Sequence, residues 1–237
     1  MGQPSEGRRG RLIVFEGIDG SGKTTQMRRA AQTLRERGTA VTELREPTDG
    51  RFGRQIRGLT QQLHKSRRRI TPEQVEKLTD LFIGDRKENV ENNILPALEL
   101  GDVVLLDRYY YSTIAYQGAL GGDPEAIRRR NETFAPRPDL VLYFSLSVDE
   151  AFRRITQEPD DHLDLFSSAD EIEAQPAKDI SRSVKVFERR NDLRQVKAIY
   201  DELAKRFDCF HTIDALADED TVARQVLEAI EDCLAMG

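Results

Sequence analysis

The chain has 237 residues, with 42 Asp and Glu against 36 Lys and Arg, a formal net charge of −6, and 38% hydrophobic residues. That length can bury one substantial core, and the acidic balance gives no electrostatic basis for general nucleic-acid binding. No apolar stretch approaches the roughly 18 residues that span a bilayer, and Cys209 and Cys233 lack metal-ligand spacing, so membrane insertion and a cysteine-built metal centre are excluded and a cytoplasmic protein with reduced thiols is expected.

Residues 1–10 carry Arg8 and Arg9 beside Gly and Pro, with no apolar run behind them; they read as a flexible segment and not as a signal peptide. Residues 11–237 are expected to form a single domain. A strand is predicted over 12–16, followed at once by Gly17-Ile18-Asp19-Gly20-Ser21-Gly22-Lys23-Thr24-Thr25 and an amphipathic helix over 24–37 that Gly38 ends. A second strand over 40–44 is closed by Arg45-Glu46-Pro47, and a short helix follows Gly53 through Ile56 and Leu63. Thr71 and Pro72 are an N-cap and first-turn pair for a helix that runs to Leu100, with a kink or break near Pro96. The continuous apolar runs at 103–106 and 140–144 have the composition of central parallel strands, 209–213 is a weaker fifth strand, and 221–234 is a final helix. Strands separated by helical patterns imply βαβ units, a mainly parallel sheet, and ligands at the carboxyl ends of its strands. Between them, 158–177 is rich in Asp and Glu and lacks periodicity; it reads as a solvated acidic linker or a flap, within a lid region around 155–185.

The glycine-rich run fits the phosphate-binding pattern G-x-x-x-x-G-K-[ST] on a strand–loop–helix frame. Its backbone N–H groups and the following helix N-terminus suit an anion, Lys23 can reach the β- and γ-phosphates, and the Thr24 hydroxyl can ligate Mg²⁺. Asp107, directly behind the third strand, sits where such enzymes place a second carboxylate near the Mg²⁺, and Arg108 offers a planar fork for a phosphate or, in the blander reading, an ion pair capping the strand. Tyr109, Tyr110 and Tyr111 are adjacent on a helix and point in different directions, so at least one packs in the core, and none is assigned to the site.

The run Asp107-Arg108-Tyr109, Ser112, Ala115-Tyr116-Gln117-Gly118 closely resembles the D-R-Y…S…A-Y-Q-G signature of thymidylate kinases. Phe15-Glu16-Gly17 with the phosphate loop, Arg45-Glu46-Pro47, the four-residue spacing of Phe82 and Arg86, and Pro138-Asp139-Leu140-Val141-Leu142-Tyr143 match that family in the same order over nearly the whole chain. The resemblance implies a P-loop NTPase fold of class α/β: a five-stranded, mainly parallel sheet flanked by helices in three layers. It implies a cytoplasmic homodimer that transfers the ATP γ-phosphate to dTMP with Mg²⁺, binding neither nucleic acid nor membrane. Residue by residue it implies that Gly17, Ile18, Asp19, Gly20, Ser21, Gly22, Lys23, Thr24 and Thr25 hold the ATP phosphates, and that Thr24 and Asp107 serve the metal. Phe82 stacks on thymine, Arg86 reaches its O4, and Arg45 and Arg108 neutralise the 5′-phosphate. Asp19 accepts the 3′-hydroxyl, Tyr116 crowds the 2′ position, and Thr113 and Gln117 complete the base pocket.

The sequence departs from the family pattern at two places. Gly20 stands where one subclass carries a catalytic Arg in the loop, so a lid cation is expected, from Arg153 or Arg154 before the acidic stretch or Arg182 or Lys185 after it. Thr48-Asp49-Gly50 replaces the usual G-G-T behind Arg45-Glu46-Pro47 and puts a negative charge close to an anionic acceptor. Three other readings stay open at this level: a deoxynucleoside kinase with Glu46 as base, although the Trp that usually follows such a Glu-Pro pair is absent; a nucleotide-dependent switch, which lacks an N-K-x-D motif; and a nucleotide-binding paralogue with little activity.

Overall fold

The computed structural model describes residues 9–66, 70–157 and 180–236. The chain runs β1 (Arg11–Glu16), α1 (Lys23–Glu36), β2 (Val41–Arg45), α2 (Arg51–Ser66), α3 (Pro72–Asn89), a π-helical turn (Val90–Ile94), α4 (Leu95–Glu99), β3 (Val103–Asp107), α5 (Tyr110–Ala119), α6 (Pro124–Glu132), β4 (Leu140–Ser145), α7 (Val148–Gln157), α8 (Ile180–Arg206), β5 (Phe210–Asp214) and α9 (Glu219–Ala235). The acidic stretch of the expected lid and the first eight residues lie outside the described residues.

One five-stranded sheet in the order β2-β3-β1-β4-β5, with every neighbouring pair parallel, bears out the α/β expectation. Leu12, Ile13, Val14 and Phe15 of the central strand are completely buried, as are Val104, Leu105 and Leu106 of β3 and Val141 and Leu142 of β4. Strands covered on both faces must be apolar at every position, which is why these three read as continuous runs. The edge strands β2 and β5 alternate with Thr, Glu, Arg and His and stay partly exposed. Helices α1 and α9 pack together over β1 to β5 on one side, while α5 packs on α3, α6 and α8 on the other, giving three layers. Chain order reverses at β1, whose neighbours are β3 and β4, so the carboxyl end of β1 opens at a topological switch point.

One local expectation needs correction. The helix placed after Gly53 begins at Arg51 and extends to Ser66, so Gly53 lies inside it. A Cβ there would stand 1.7 Å from the Thr48 carbonyl oxygen, and the glycine marks a close backbone approach instead of a boundary. The long helix expected to run towards Leu100 with a kink or break near Pro96 is indeed interrupted there, by the π-turn at Val90–Ile94 just before the proline. Proline lacks an N–H and its ring collides with the carbonyl four residues back, and the wider turn relieves both.

Thr71 caps α3 as read from the sequence: its hydroxyl accepts from the Gln74 N–H at 3.3 Å and the Gln74 side chain returns the bond to the Thr71 N–H at 2.9 Å. Thr71→Ala should cost about 1 kcal/mol of stability, read as a lower urea midpoint at unchanged slope; an unchanged midpoint would remove the box from the account of α3.

Candidate active site

The loop after β1 closes on itself around Lys23. Its Nζ donates to the Ile18 carbonyl at 2.8 Å and to Ser21 Oγ at 3.3 Å. Burial and the nearby Arg108 charge push the Lys23 amine down to about 8, against the pull of Asp19, Asp107 and Glu16. Gly20 has a φ of 75°, and a Cβ there would lie 2.8 Å from the Ala151 carbonyl oxygen of α7 and 3.0 Å from Ile155. The loop position without a side chain is therefore the one on which α7 rests, and α7 itself carries Arg153 and Arg154.

At the end of β3, the Thr24 hydroxyl donates to Asp107 Oδ2 at 2.5 Å, and Asp107 Oδ1 is buried with no hydrogen-bond partner. Among the described residues no group of three or more His, Cys, Asp and Glu could cage a metal. A hydroxyl beside a carboxylate with an unused buried oxygen does fit Mg²⁺, which takes one or two protein ligands and fills the rest with phosphate and water.

Arg108 follows in the left-handed region, with a φ of 68°. Its guanidinium forms an ion pair with Asp19 and donates to the Gly17 carbonyl at 3.2 Å and Ser112 Oγ at 3.1 Å. Tyr116, fully buried, donates its hydroxyl to Asp19 Oδ2 at 3.0 Å and puts its ring 5.2 Å from the guanidinium. Burial works against the charge of Arg108, but Tyr116 and Asp19 hold its pKa well above the usual value. The ion-pair reading of Asp107-Arg108 is thus met by a different carboxylate, that of Asp19.

A second arginine is buried deeper. Arg86 from α3 pairs with Glu46 Oε2 at 2.7 Å and donates to Asn131 Oδ1 at 2.7 Å and Thr113 Oγ1 at 3.1 Å, over the ring of Tyr109. Asn89 donates to the other Glu46 oxygen at 3.2 Å. Burial pushes the Glu46 carboxyl up to about 7, against the opposing charge of Arg86. Phe82 stands one turn before Arg86 on the same face, and Gln117 is buried with its side-chain oxygen unpaired. All three tyrosines of the 109–111 run are buried, with Tyr109 stacked beneath Arg86.

The remaining arginines lie at the rim. Arg45 is half exposed and grips Asp49 at 2.8 Å, and Arg57 of α2 reaches the same carboxylate at 3.2 Å. The hydrogen bond and charge of Arg45 hold the Asp49 carboxyl below its usual range. Arg153 and Arg154 both pair with Glu150, at 2.7 and 2.9 Å, and Arg154 also donates to the Ala215 carbonyl. Arg182 and Lys185 belong to the first turns of α8, and their side chains lie outside the described residues.

These groups surround one cavity of about 830 Å³ that runs from the loop and α7 to Phe82, Arg86, Thr113 and Gln117. Seven Lys and Arg line it against four Asp and Glu, so an acidic chain presents a basic cavity, suited to a polyanion at one end and a phosphorylated ring at the other. Gly17, Ile18 and Tyr116 stand behind its wall, held to it by the contacts above. Sequence reasoning missed Arg57, Asn89 and Asn131, whose helical spacings carried no chemical signal. It also passed over Glu16 as anything but motif, though a carboxylate ending a fully apolar strand was a visible signal. Glu16 is completely buried, and burial pushes its carboxyl up against hydrogen bonds from Ser112 and the charge of Arg108.

A family model described as thymidylate kinase matches residues 15–226. The chain is similar to the thymidylate kinase of Desulfotalea psychrophila, at 38% identity over 227 residues covering 96% of this chain and 97% of that protein. It is similar to the thymidylate kinase of Xanthomonas campestris pv. campestris strain B100, at 37% identity over 96% of this chain and 88% of that one. Over 150 residues it is 48% identical to the thymidylate kinase of Akkermansia muciniphila, covering 62% and 68% of the two chains.

The Lys23 value sets a pH dependence. A bound polyphosphate favours the charged amine, so nucleoside triphosphate affinity should be highest below pH 8 and fall as the pH rises through 8. Titration with ATP between pH 7 and 9.5 should show that decline in the unsubstituted chain and a weak, flat profile in Lys23→Ala; a flat profile in both would remove Lys23 as its cause.

Proposed function

Because the chain belongs to the thymidylate kinase family, we infer that it transfers the γ-phosphate of ATP to dTMP, giving dTDP and ADP, by a division of labour along one cavity. The observation that carries this reading is the cavity itself, with the phosphate loop at one end, Phe82, Arg86 and Thr113 at the other, and the Arg108–Asp19 pair between them. ATP is the donor that the family uses, and the loop over Gly17, Ile18, Asp19, Gly20, Ser21, Gly22, Lys23, Thr24 and Thr25 is its phosphate cradle.

Phe82 stacks on the thymine ring, while Arg86, Thr113 and Gln117 meet its polar edge. The unpaired buried oxygen of Gln117 supports this, because it needs a donor such as a ring N–H. Arg108, Arg45 and Arg57 receive the acceptor phosphate, Asp19 takes the sugar hydroxyl, and Tyr116 behind Asp19 narrows the space at the sugar. Thr24 and Asp107 would hold a Mg²⁺ arriving with ATP, which when bound supplies neutralising charge at the β- and γ-oxygens. An acceptor phosphate oxygen, already anionic near neutral pH, attacks the γ-phosphorus as the bond to the β–γ bridging oxygen breaks, and no side-chain base is required. Lys23 and the arginines meet the charge that spreads over the transferring group, and Arg153 and Arg154 on α7 stand on the side where a loop arginine is absent.

Glu46 serves to hold Arg86, with Asn89 on its other oxygen, and neither the family nor the relatives favour a nucleoside hydroxyl as the acceptor. By the family resemblance the working form is a cytoplasmic homodimer of single-domain chains over 11–237; sedimentation should give twice the mass of one chain, and a single-chain mass would refute it.

An ADP-release assay with ATP and Mg²⁺ should show rapid turnover with dTMP and none with thymidine. Turnover of thymidine alone would overturn the assignment. Lys23→Ala should lower kcat by roughly 10²- to 10³-fold, and retention of near-normal kcat would exclude Lys23 from the transfer step.

A further inference from the structure

Arg108 is fixed by groups that no substrate role accounts for. Its backbone N–H donates to the Phe15 carbonyl at 3.0 Å, which ties the start of the α5 segment to the end of β1. The next residue of β1 is Glu16, whose carboxylate collects four further bonds. One oxygen accepts the backbone N–H groups of Tyr109 and Ser112, at 2.9 and 3.1 Å. The other accepts the Ser112 hydroxyl at 2.6 Å and the Tyr200 hydroxyl of α8 at 2.8 Å. Tyr109 is the N-cap of α5 and makes no side-chain cap of its own, so Glu16 caps that helix from another strand, where the helix dipole favours a negative charge.

The Ser112 hydroxyl joins this cap to the guanidinium. It is used twice, donating to Glu16 and accepting from Arg108 Nη1 at 3.1 Å, with the Tyr200 hydroxyl 2.8 Å away. Glu16, Ser112 and Tyr200 are 0%, 5% and 0% exposed, and none of the three contributes the group we assign to substrate. A left-handed backbone at a non-glycine residue, such as Arg108 with its φ of 68°, persists only where its surroundings over-determine it, and these contacts are those surroundings.

We propose that Glu16, Ser112 and Tyr200 form a buried positioning unit that holds the Arg108 guanidinium in line for the acceptor phosphate. They act through Arg108 and touch no reacting atom. The unit sets acceptor use more than donor use, because its one hydrogen bond to a cation of the cavity is that of Ser112 to Arg108, while the Lys23 nitrogen bonds Ile18 and Ser21 and Thr24 bonds Asp107.

The proposal rests on the acceptor-phosphate role inferred for Arg108, and a double-mutant cycle separates the two. Tyr200→Phe and Ser112→Ala each remove one hydroxyl and are the primary variants, with Glu16→Gln testing the carboxylate directly and thermal melts reporting the folded fraction of each. Each hydroxyl variant should lower kcat/KM for dTMP by about 10- to 100-fold, with KM for ATP within about twofold of the unsubstituted chain. The dissociation constant of dTMP, measured by calorimetry, should weaken in Tyr200→Phe, yet be the same in Arg108→Ala and in the Arg108→Ala, Tyr200→Phe double variant. Additive losses, or equal losses toward ATP and dTMP, would overturn the positioning role while leaving the kinase reading intact. An Arg108→Ala chain that binds and turns over dTMP normally would overturn the role of Arg108 and the proposal with it.

Discussion

The bonds that hold Arg108 between the phosphate loop and α5 are the constraint around which the rest of the site is arranged. The residue leaves β3 in a left-handed conformation, pairs with Asp19, and reaches back to the Gly17 carbonyl. Two segments distant in sequence must therefore meet at fixed distances: the end of β1 with the loop directly behind it, and the first turn of α5. The parallel pairing of β1 with β3 achieves this, because Phe15 lies opposite Asp107 in the register and both strands end at one edge. A slip of one residue would turn every side chain of β3 to the other face and separate Arg108 from Asp19.

Two nearly buried arginines sit in this edge, and they are satisfied differently. Arg86 is enclosed by Glu46, Asn131 and Thr113, so its charge is matched inside the protein before any ligand arrives. Taking both ions of such a pair out of water costs several kcal/mol each, and the gain depends on the remaining hydrogen bonds being made. The arrangement fixes the guanidinium in one orientation beside the cavity. Arg108 instead shares Asp19 with the Tyr116 hydroxyl and keeps a face toward the cavity, the arrangement appropriate to a group that exchanges or adds partners.

The basic character of the cavity is a local inversion of the chain's net charge. The rim cations Arg45, Arg57, Arg153 and Arg154 are paired with Asp49 and Glu150, exposed or partly exposed contacts that are individually weak. Deep pairs that define shape and shallow pairs that an arriving anion can displace are thus separated by depth. Gly20 belongs to the same logic. Its missing side chain lets α7 approach the phosphate loop, and the approach carries two arginines to the cavity wall.

The sequence by itself determined the parallel sheet, the phosphate loop and the acceptor signature, since each is written locally. Continuous apolar runs mark strands buried on both faces, glycines at fixed offsets mark a backbone turned around an anion, and Asp107-Arg108 follows a strand end directly. Phe82 and Arg86 were placed together by helical spacing alone. Only the tertiary structure decided the partners of each charge. That Glu46 belongs to Arg86, Asp19 to Arg108, Asp49 to Arg45 and Arg57, and Glu16 to the start of α5 depends on which strand ends and helix faces converge, and sequence separation carries no information about that. The extended α2 around Gly53 and the burial of all three adjacent tyrosines were hidden for the same reason, whereas the break near Pro96 was legible because proline cannot continue a regular helix. A side chain's local pattern fixes the direction it takes from its own element, and packing of the other elements fixes what it meets there.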